Sequence, residues 1–302
     1  MKTAAIVGTG ALGILFGHQL QRHYGSDQIF FPMDEQRLSR HKNDVYTVNG
    51  IPVALNLVDA GNCPCVDLVI VCTKYGGLEG AMDITSRIIG PNTVIISALN
   101  GILSEERLAE RFGQQRVLGC VALGMDANRA GTALTFSRPG RLQLGRLADG
   151  QDAAVDETAA FLSTAGLKVE CMENIRRALW SKFMLNVGIN QTCMVYDIPY
   201  GPALHQKPYS DDLRQAMREV VVISQAEGIG LNETDLQQAI DLIDTLDPQA
   251  SPSMRQDFLA GRKTESELFC GTVLEYARRH GIETPVNLRY QNLIHQIESD
   301  LA

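Results

Sequence analysis

The chain of 302 residues is short of several things, and each shortage removes a class of function. It has no unbroken apolar run of about 18 residues, so no segment reads as a membrane-spanning helix. It has no excess of positive charge. Lys and Arg number 27 against 35 Asp and Glu, a formal net charge of −8, and no basic run is present. The electrostatic footprint of a nucleic-acid binder is therefore missing, as is a polybasic membrane patch. It also lacks a disulfide framework. The seven cysteines (Cys63, Cys65, Cys72, Cys120, Cys171, Cys193 and Cys270) are odd in number and scattered, and Cys72 ends the apolar run that starts at Leu68. They read as reduced thiols in a reducing, cytoplasmic compartment. The close pair Cys63-Pro64-Cys65 has neither zinc-knuckle nor thioredoxin spacing, so no metal is expected. Met1-Lys2 and the run to Phe16 imitate a signal peptide, but regular glycines and the absence of a small-residue cleavage site argue against one.

What is present is ordinary globular composition, 45% hydrophobic and 21% charged, in a length that suits two domains. In the first half, short β-branched runs (Thr3–Val7, Gln28–Phe31, Asp67–Thr73, Thr93–Ser97) alternate with helical patterns (Ala11–Tyr24, Asp34–Lys42, Leu78–Ile89, Ser104–Phe112). This alternation predicts an α/β fold with a Rossmann-type, doubly wound parallel sheet. Val117–Leu123, Ala133–Ser137, Arg141–Gly145 and Lys168–Met172 read as further strands, Asp152–Ala165 as a helix. Arg138-Pro139-Gly140 reads as the turn of a hairpin. Past residue 173 the strand signals stop. Ile175–Tyr196, Ser210–Glu227, Glu233–Leu246, Thr264–His280 and Asn287–Ser299 read as helices, with turns at 198–202, 227–230 and 247–252. The expectation is a dinucleotide-binding domain over 1–172 and an all-helical substrate domain over 173–302.

Gly8-Thr9-Gly10-Ala11-Leu12-Gly13 follows the first strand and opens the first helix. The chemistry of a pyrophosphate site asks for each glycine separately: a tight turn, a close backbone approach to the anion, and close packing of helix on strand. Free N–H groups and the helix dipole then favour the anion. In this context the loop predicts a nicotinamide dinucleotide. Asp34, ~20 positions on, suits the ribose 2′-hydroxyl of NAD. Arg37, Arg40 and Lys42 suit the 2′-phosphate of NADP instead, and a third reading has all four charges solvating a surface helix.

In the second half, Lys182, Asn186 and Asn190 recur at i, i+4, i+8 within the apolar stretch Trp180–Asn190, and so share one helical face. Polar groups in apolar surroundings need partners, and a polar substrate is one. A lysine there suits proton donation. The competing reading is a solvent-facing stripe on an amphipathic helix.

With these segments in view, the chain resembles the ketopantoate reductases along nearly its whole length. The resemblance rests on Gly8–Gly13, Thr73-Lys74, Leu99-Asn100-Gly101 and Arg177–Lys182 with Asn186 and Asn190. It continues through Ser253–Asp257, Lys263–Glu265 and His280–Pro285. It implies a fold of the 6-phosphogluconate dehydrogenase-like kind and NADPH-dependent reduction of ketopantoate (2-dehydropantoate) to pantoate, a step of pantothenate and coenzyme A biosynthesis, by a homodimer. It implies Lys182 as general acid and Glu265 as a catalytic residue that organises the site. Asn100, Asn186, Asn190 and Ser253 are implied as substrate-binding. Gly8 to Gly13, Asp34, Lys74, Asn100 and Glu265 are implied as cofactor-binding. Each has a plainer alternative: Asn100-Gly101 as an ordinary turn pair, Ser253 as a helix cap, Glu265 as a first-turn helix charge, Lys74 as a surface lysine. Three positions depart from the family pattern. Met33 stands near the arginine that usually holds the NADP phosphate, which leaves NAD open. Ala250 replaces a substrate-contacting asparagine and Arg255 an apolar residue, which leaves a different 2-keto acid open.

Overall fold

The computed structural model describes residues 1–262 and 264–300. They divide into two compact units, residues 1–99 with 104–175 and residues 100–103 with 176–300.

The first unit is built on β1 (Ala4–Val7), α1 (Ala11–Tyr24), β2 (Ile29–Met33), α2 (Glu35–His41), β3 (Tyr46–Val48), β4 (Ile51–Val53), β5 (Leu57–Asp59) and β6 (Val66–Val71). It continues with α3 (Leu78–Ile88), β7 (Ile89–Ser97), α4 (Leu103–Phe112), β8 (Val117–Leu123), β9 (Asn128–Ala130), β10 (Ala133–Thr135), β11 (Arg141–Gly145), α5 (Asp152–Thr164) and β12 (Val169–Cys171). The main sheet runs β12-β11-β8-β7-β6-β1-β2-β5. From β5 to β8 every pairing is parallel. Those six strands thus follow the 3-2-1-4-5-6 order of a dinucleotide fold, and the order reverses between β1 and β6, where such folds bind ligands.

Why the strands are so apolar is visible in the packing. Ala4 and Ile6 face one side, into a core with Ile14, Leu15, Phe16 and Phe161 from α1 and α5. Ala5 and Val7 face the other, with Leu78, Met82 and Leu108 from α3 and α4. A strand covered on both faces has no polar side, so its sequence is a continuous apolar run.

The expected hairpin of 133–137 with 141–145 does not form. β10 pairs with β9 and β3 in a separate sheet of order β4-β3-β10-β9, while β11 pairs with β8 and β12. The tight turn lies earlier, at Gly131 (φ +59°) between β9 and β10. The Asp126 carboxylate then accepts from the Ser137 and Arg138 amides at 2.9 and 2.7 Å, and Gly140 passes so close to Leu123 that a Cβ would lie 2.3 Å from its carbonyl oxygen. This directs the chain to β8 instead of back along β10.

The second unit is helical: α6 (Ile175–Val195), α7 (Tyr200–His205), α8 (Tyr209–Ala226), α9 (Glu233–Asp244), α10 (Ser253–Leu259), α11 (Cys270–His280) and α12 (Pro285–Asp300). α7 overlaps the turn expected at 198–202, and α10 directly follows the one expected at 247–252. Pro199 and Pro252 cap them, so prolines that read as breakers mark helix starts. The helix expected from Thr264 begins only at Cys270, after a 3-10 turn over Ser266–Leu268. None of the described helices is long and apolar enough to cross a membrane.

Gly17 tests the contact of α1 with β2. A Cβ there would lie 2.1 Å from the Phe31 ring. Alanine ordinarily gains a helix about 1 kcal/mol over glycine. Here the overlap with a fully buried ring wins, and Gly17→Ala is expected to cost about 1–3 kcal/mol in urea unfolding. Phe31→Leu in the same chain should recover part of that loss.

Candidate active site

In the N-terminal unit the glycine turn lies at the carboxyl end of β1, at the point where strand order reverses. Gly8 has φ +115°, and a Cβ on it would meet the Cys72 carbonyl oxygen at 2.7 Å. Gly13 approaches more closely still, its Cβ position being 2.0 Å from the Gly8 oxygen. No side chain larger than hydrogen fits at either place. Gly10 caps α1 without a side-chain bond, and the first turn contains no acidic residue. The Ala11, Leu12 and Gly13 N–H groups therefore lack helical partners, in a positive field that no carboxylate cancels. Thr9 is buried in the same turn. Beside it the Thr73 hydroxyl is buried with no hydrogen-bond partner. A cradle of this shape fits the pyrophosphate of a dinucleotide.

β1 and β2 run parallel with Ala5 opposite Phe30, so the end of β2 comes level with the glycine turn. There Met33 is buried and Asp34 exposed. Asp34 caps α2, its Oδ1 accepting from the Arg37 amide at 2.7 Å. Arg40 Nε donates to the Gln36 carbonyl at 3.3 Å. Lys74 is exposed, three residues past β6, and precedes the 3-10 turn Tyr75–Gly77.

In the helical unit, α6 is buried almost all round from Phe183 to Met194. The stripe is thus not a solvent-facing one. Lys182 is half-buried, and Asn186 and Asn190 are 8% and 5% exposed. Asn190 Nδ2 donates to Asn186 Oδ1 at 3.2 Å, and Asn190 Oδ1 accepts from the Met254 amide at 3.3 Å. Asn190 thereby caps α10, which has no side-chain cap of its own. Asn186 spends its oxygen on Asn190 and has its amide nitrogen left to donate. Ser253, the first residue of α10, is exposed.

Glu265 precedes the 3-10 turn and is half-buried between the buried Thr264 and Ser266, so it is not a helix first-turn charge. Lys263 lies outside the described residues. Asn100 is half-buried, and its neighbour Gly101 (φ +87°) rests against Leu268, the last residue of that 3-10 turn, with a Cβ position 3.2 Å from Leu268 Cδ2. Asn100-Gly101 is therefore a packed turn whose glycine is needed both for its φ and for its contact. The guanidinium of Arg255 is engaged within the protein. It donates to Asp197 Oδ1 at 2.9 Å and to Ser251 Oγ at 2.5 Å, joining α10 to the end of α6.

The i, i+4, i+8 pattern passes over Gln191 and Thr192, both fully buried on α6. Gln191 bonds Asn287 at 3.0 Å, and the Thr192 and Tyr290 hydroxyls lie 2.7 Å apart. The signal that finds them is the one that found Asn186: a polar side chain in an apolar helix must be paired. Also passed over is a buried run at the end of β7, where Ser97 Oγ donates to Ser104 Oγ at 2.8 Å and Ser104 Oγ to Glu105 Oε2 at 2.9 Å. Among the described residues no group of three His, Cys, Asp or Glu could hold a metal ion.

Two family models cover most of the chain, the ketopantoate reductase PanE/ApbA model over residues 4–149 and its C-terminal model over 174–298. The chain belongs to the ketopantoate reductase family. It is an NAD(P)H-dependent oxidoreductase of that family. It is 30% identical to the 2-dehydropantoate 2-reductase of Halobacterium salinarum over 236 residues, 78% of this chain and 77% of the relative. It is 26% identical to that of Streptococcus pyogenes serotype M3, over 98% of each chain. The fold is that of D-mandelate dehydrogenase, solved with NADH and anilino(oxo)acetate, with a TM-score of 0.85 and 24% identity over 99% of each chain.

Within this ketopantoate reductase-family chain, Asn190 and Ser253 separate structure from surface. Asn190→Ala leaves the Met254 amide buried without its acceptor, which should cost about 1–3 kcal/mol in chemical denaturation. Ser253→Ala, at an exposed position, should stay within about 0.5 kcal/mol of the parent.

Proposed function

We propose that the protein reduces a 2-keto acid, with ketopantoate the leading substrate, and that Lys182 is the proton donor. The observation that supports this is the face of α6. A lysine and two asparagines follow one another at helical spacing in the largely apolar stretch Trp180–Asn190, and the amide nitrogen of Asn186 is uncommitted. A substrate carrying a carbonyl and a carboxylate supplies an acceptor for that nitrogen.

The glycine turn, with Thr9, Thr73 and the first-turn amides of α1, would hold the pyrophosphate. Bound NAD(P)H supplies the hydride. As the carbonyl carbon of the substrate is reduced, negative charge grows on its oxygen. The Lys182 ammonium stabilises that charge and gives up a proton to it, completing the hydroxyl. Asn186 Nδ2 donates a hydrogen bond that fixes the keto acid, and Ser253 and Asn100 offer further polar contacts. Glu265 would supply the carboxylate that orients the lysine. Purified protein should oxidise the cofactor only when a keto acid is present. A panel of 2-keto acids should rank ketopantoate first, and no turnover with any of them would refute the assignment. Lys182→Ala should lower kcat about 10²–10⁴-fold with cofactor affinity intact, read by quenching of protein fluorescence.

The cofactor reading turns on the end of β2. Met33 is buried and offers nothing to a phosphate, whereas Asp34 places a carboxylate level with the glycine turn. A ribose 2′-hydroxyl donates to a carboxylate, and a 2′-phosphate is repelled by it. NADH is therefore the preferred form. It should bind more tightly than NADPH by about tenfold, the factor that about 1.4 kcal/mol of discrimination gives. Asp34→Asn retains the α2 cap, removes the charge, and should narrow the ratio of the two dissociation constants. An unchanged ratio would assign selectivity elsewhere. Of the two departures that suggest another substrate, Arg255 is engaged with Asp197 and Ser251, which leaves Ala250.

A further inference from the structure

The Glu265 segment is held at both ends. On one side the Thr264 amide and hydroxyl both donate to Glu298 Oε1 on α12, at 2.9 and 2.6 Å. On the other side the Cys270 amide, at the start of α11, donates to Gln191 Oε1 at 3.0 Å. α11 has no side-chain cap of its own, so the cap is lent by α6, the helix that carries Lys182 and Asn186. Gln191 is fully buried, and its amide is fully used. Nε2 donates to the Val187 carbonyl at 2.8 Å and to Asn287 Oδ1 at 3.0 Å.

The direction of this chain of bonds is dictated from one end. The buried Glu219 side chain accepts from the Val286 and Asn287 amides at 2.9 and 3.0 Å, and from Asn287 Nδ2 at 2.7 Å. A carboxylate only accepts. Asn287 must therefore turn its NH2 to Glu219 and its oxygen to Gln191. Gln191 must then turn its NH2 to Asn287 and its oxygen to Cys270. The Gln191 amide has one permitted orientation, and that orientation holds the start of α11 five residues from Glu265.

We propose that Gln191 is a positioning residue that sets Glu265 against the Lys182 and Asn186 face of α6. This rests on the reading of Lys182 and Glu265 as catalytic, and the experiment keeps the two apart. The measurements are kcat, KM and cofactor dissociation constants for the whole protein carrying Gln191→Met, Glu265→Gln, and both. Methionine fills the same space without donor or acceptor. If Gln191 acts through Glu265, Gln191→Met alone lowers kcat by about tenfold or more, since a small misplacement of a catalytic group is costly, with cofactor affinity unchanged. In the Glu265→Gln background the same change then has little further effect. Equal multiplicative losses in both backgrounds, or an undiminished kcat, would overturn the proposal. Full activity of Glu265→Gln itself would instead refute the catalytic reading beneath it. Should Gln191→Met fail to fold by circular dichroism, Gln191→Asn, whose shorter side chain keeps the amide but withdraws its oxygen from the Cys270 amide, takes its place in the same cycle. Loss confined to the Glu265 background supports the proposal, and independent losses overturn it.

Discussion

A helix that is buried on nearly every side and still carries polar side chains has only one tolerable state, the one in which each of those side chains is paired. α6 is such a helix. An unpaired amide in its surroundings costs about 1–3 kcal/mol, a large share of the net stability of a domain. Four polar residues of α6 meet this demand by each reaching a different neighbour. Arg177 binds Asp235 with both oxygens, at 2.8 and 2.7 Å, and fixes α9. Asn190 takes the Met254 amide and fixes α10. Gln191 takes the Cys270 amide and fixes α11, and Thr192 meets Tyr290 of α12. Apolar contacts alone would tolerate small slides of helix on helix. These bonds do not, because each has a donor, an acceptor and a direction.

The N-terminal unit reaches definition by another route. Its sheet is apolar on both faces, and its positioning device is the removal of atoms. Gly8, Gly13 and Gly17 each stand where a single methyl group would overlap a backbone oxygen or the Phe31 ring. With those methyls absent, α1 settles onto β1 and β2 closely enough that its first turn ends at the strand tips. The switch in strand order leaves room there, and the amides of the first turn face it without a competing carboxylate.

What was legible in the sequence follows from how local each signal is. The glycine turn, the buried strands and the long helices are written in consecutive residues, and they stand where expected, save that the helix read from Thr264 begins at Cys270. Three-residue strands such as β3, β5 and β9 carry too few residues to show a period, and their existence depends on partners far along the chain. The misplaced hairpin has the same origin: Arg138-Pro139-Gly140 is a sound turn signal, but Asp126 and the tight passage at Gly140 decide which strands it joins. Pro199 and Pro252 were ambiguous because proline both ends helices and starts them. In the candidate site, spacing found Lys182, Asn186 and Asn190, yet spacing could not find Gln191, which lies about 100° further round the helix. What marks it is a polar side chain in apolar surroundings, and its burial bears that out.

The distinction between touching a ligand and holding what touches it bears most on Asn190. Spacing and resemblance place it beside Asn186 as a substrate contact. Its bonds divide it differently: the oxygen belongs to the Met254 amide and one N–H to Asn186. Met254 follows Ser253 directly, so the oxygen of Asn190 sets the height of Ser253 above α6. The N–H given to Asn186 holds that neighbour's oxygen and so leaves its nitrogen as the end free to donate. The two groups that Asn190 orients are both ones assigned here to the substrate. In the proposed function Asn190 acts by fixing them, with one N–H at most to offer a substrate directly, and the contacts that discriminate substrates would fall to Asn186 and Ser253.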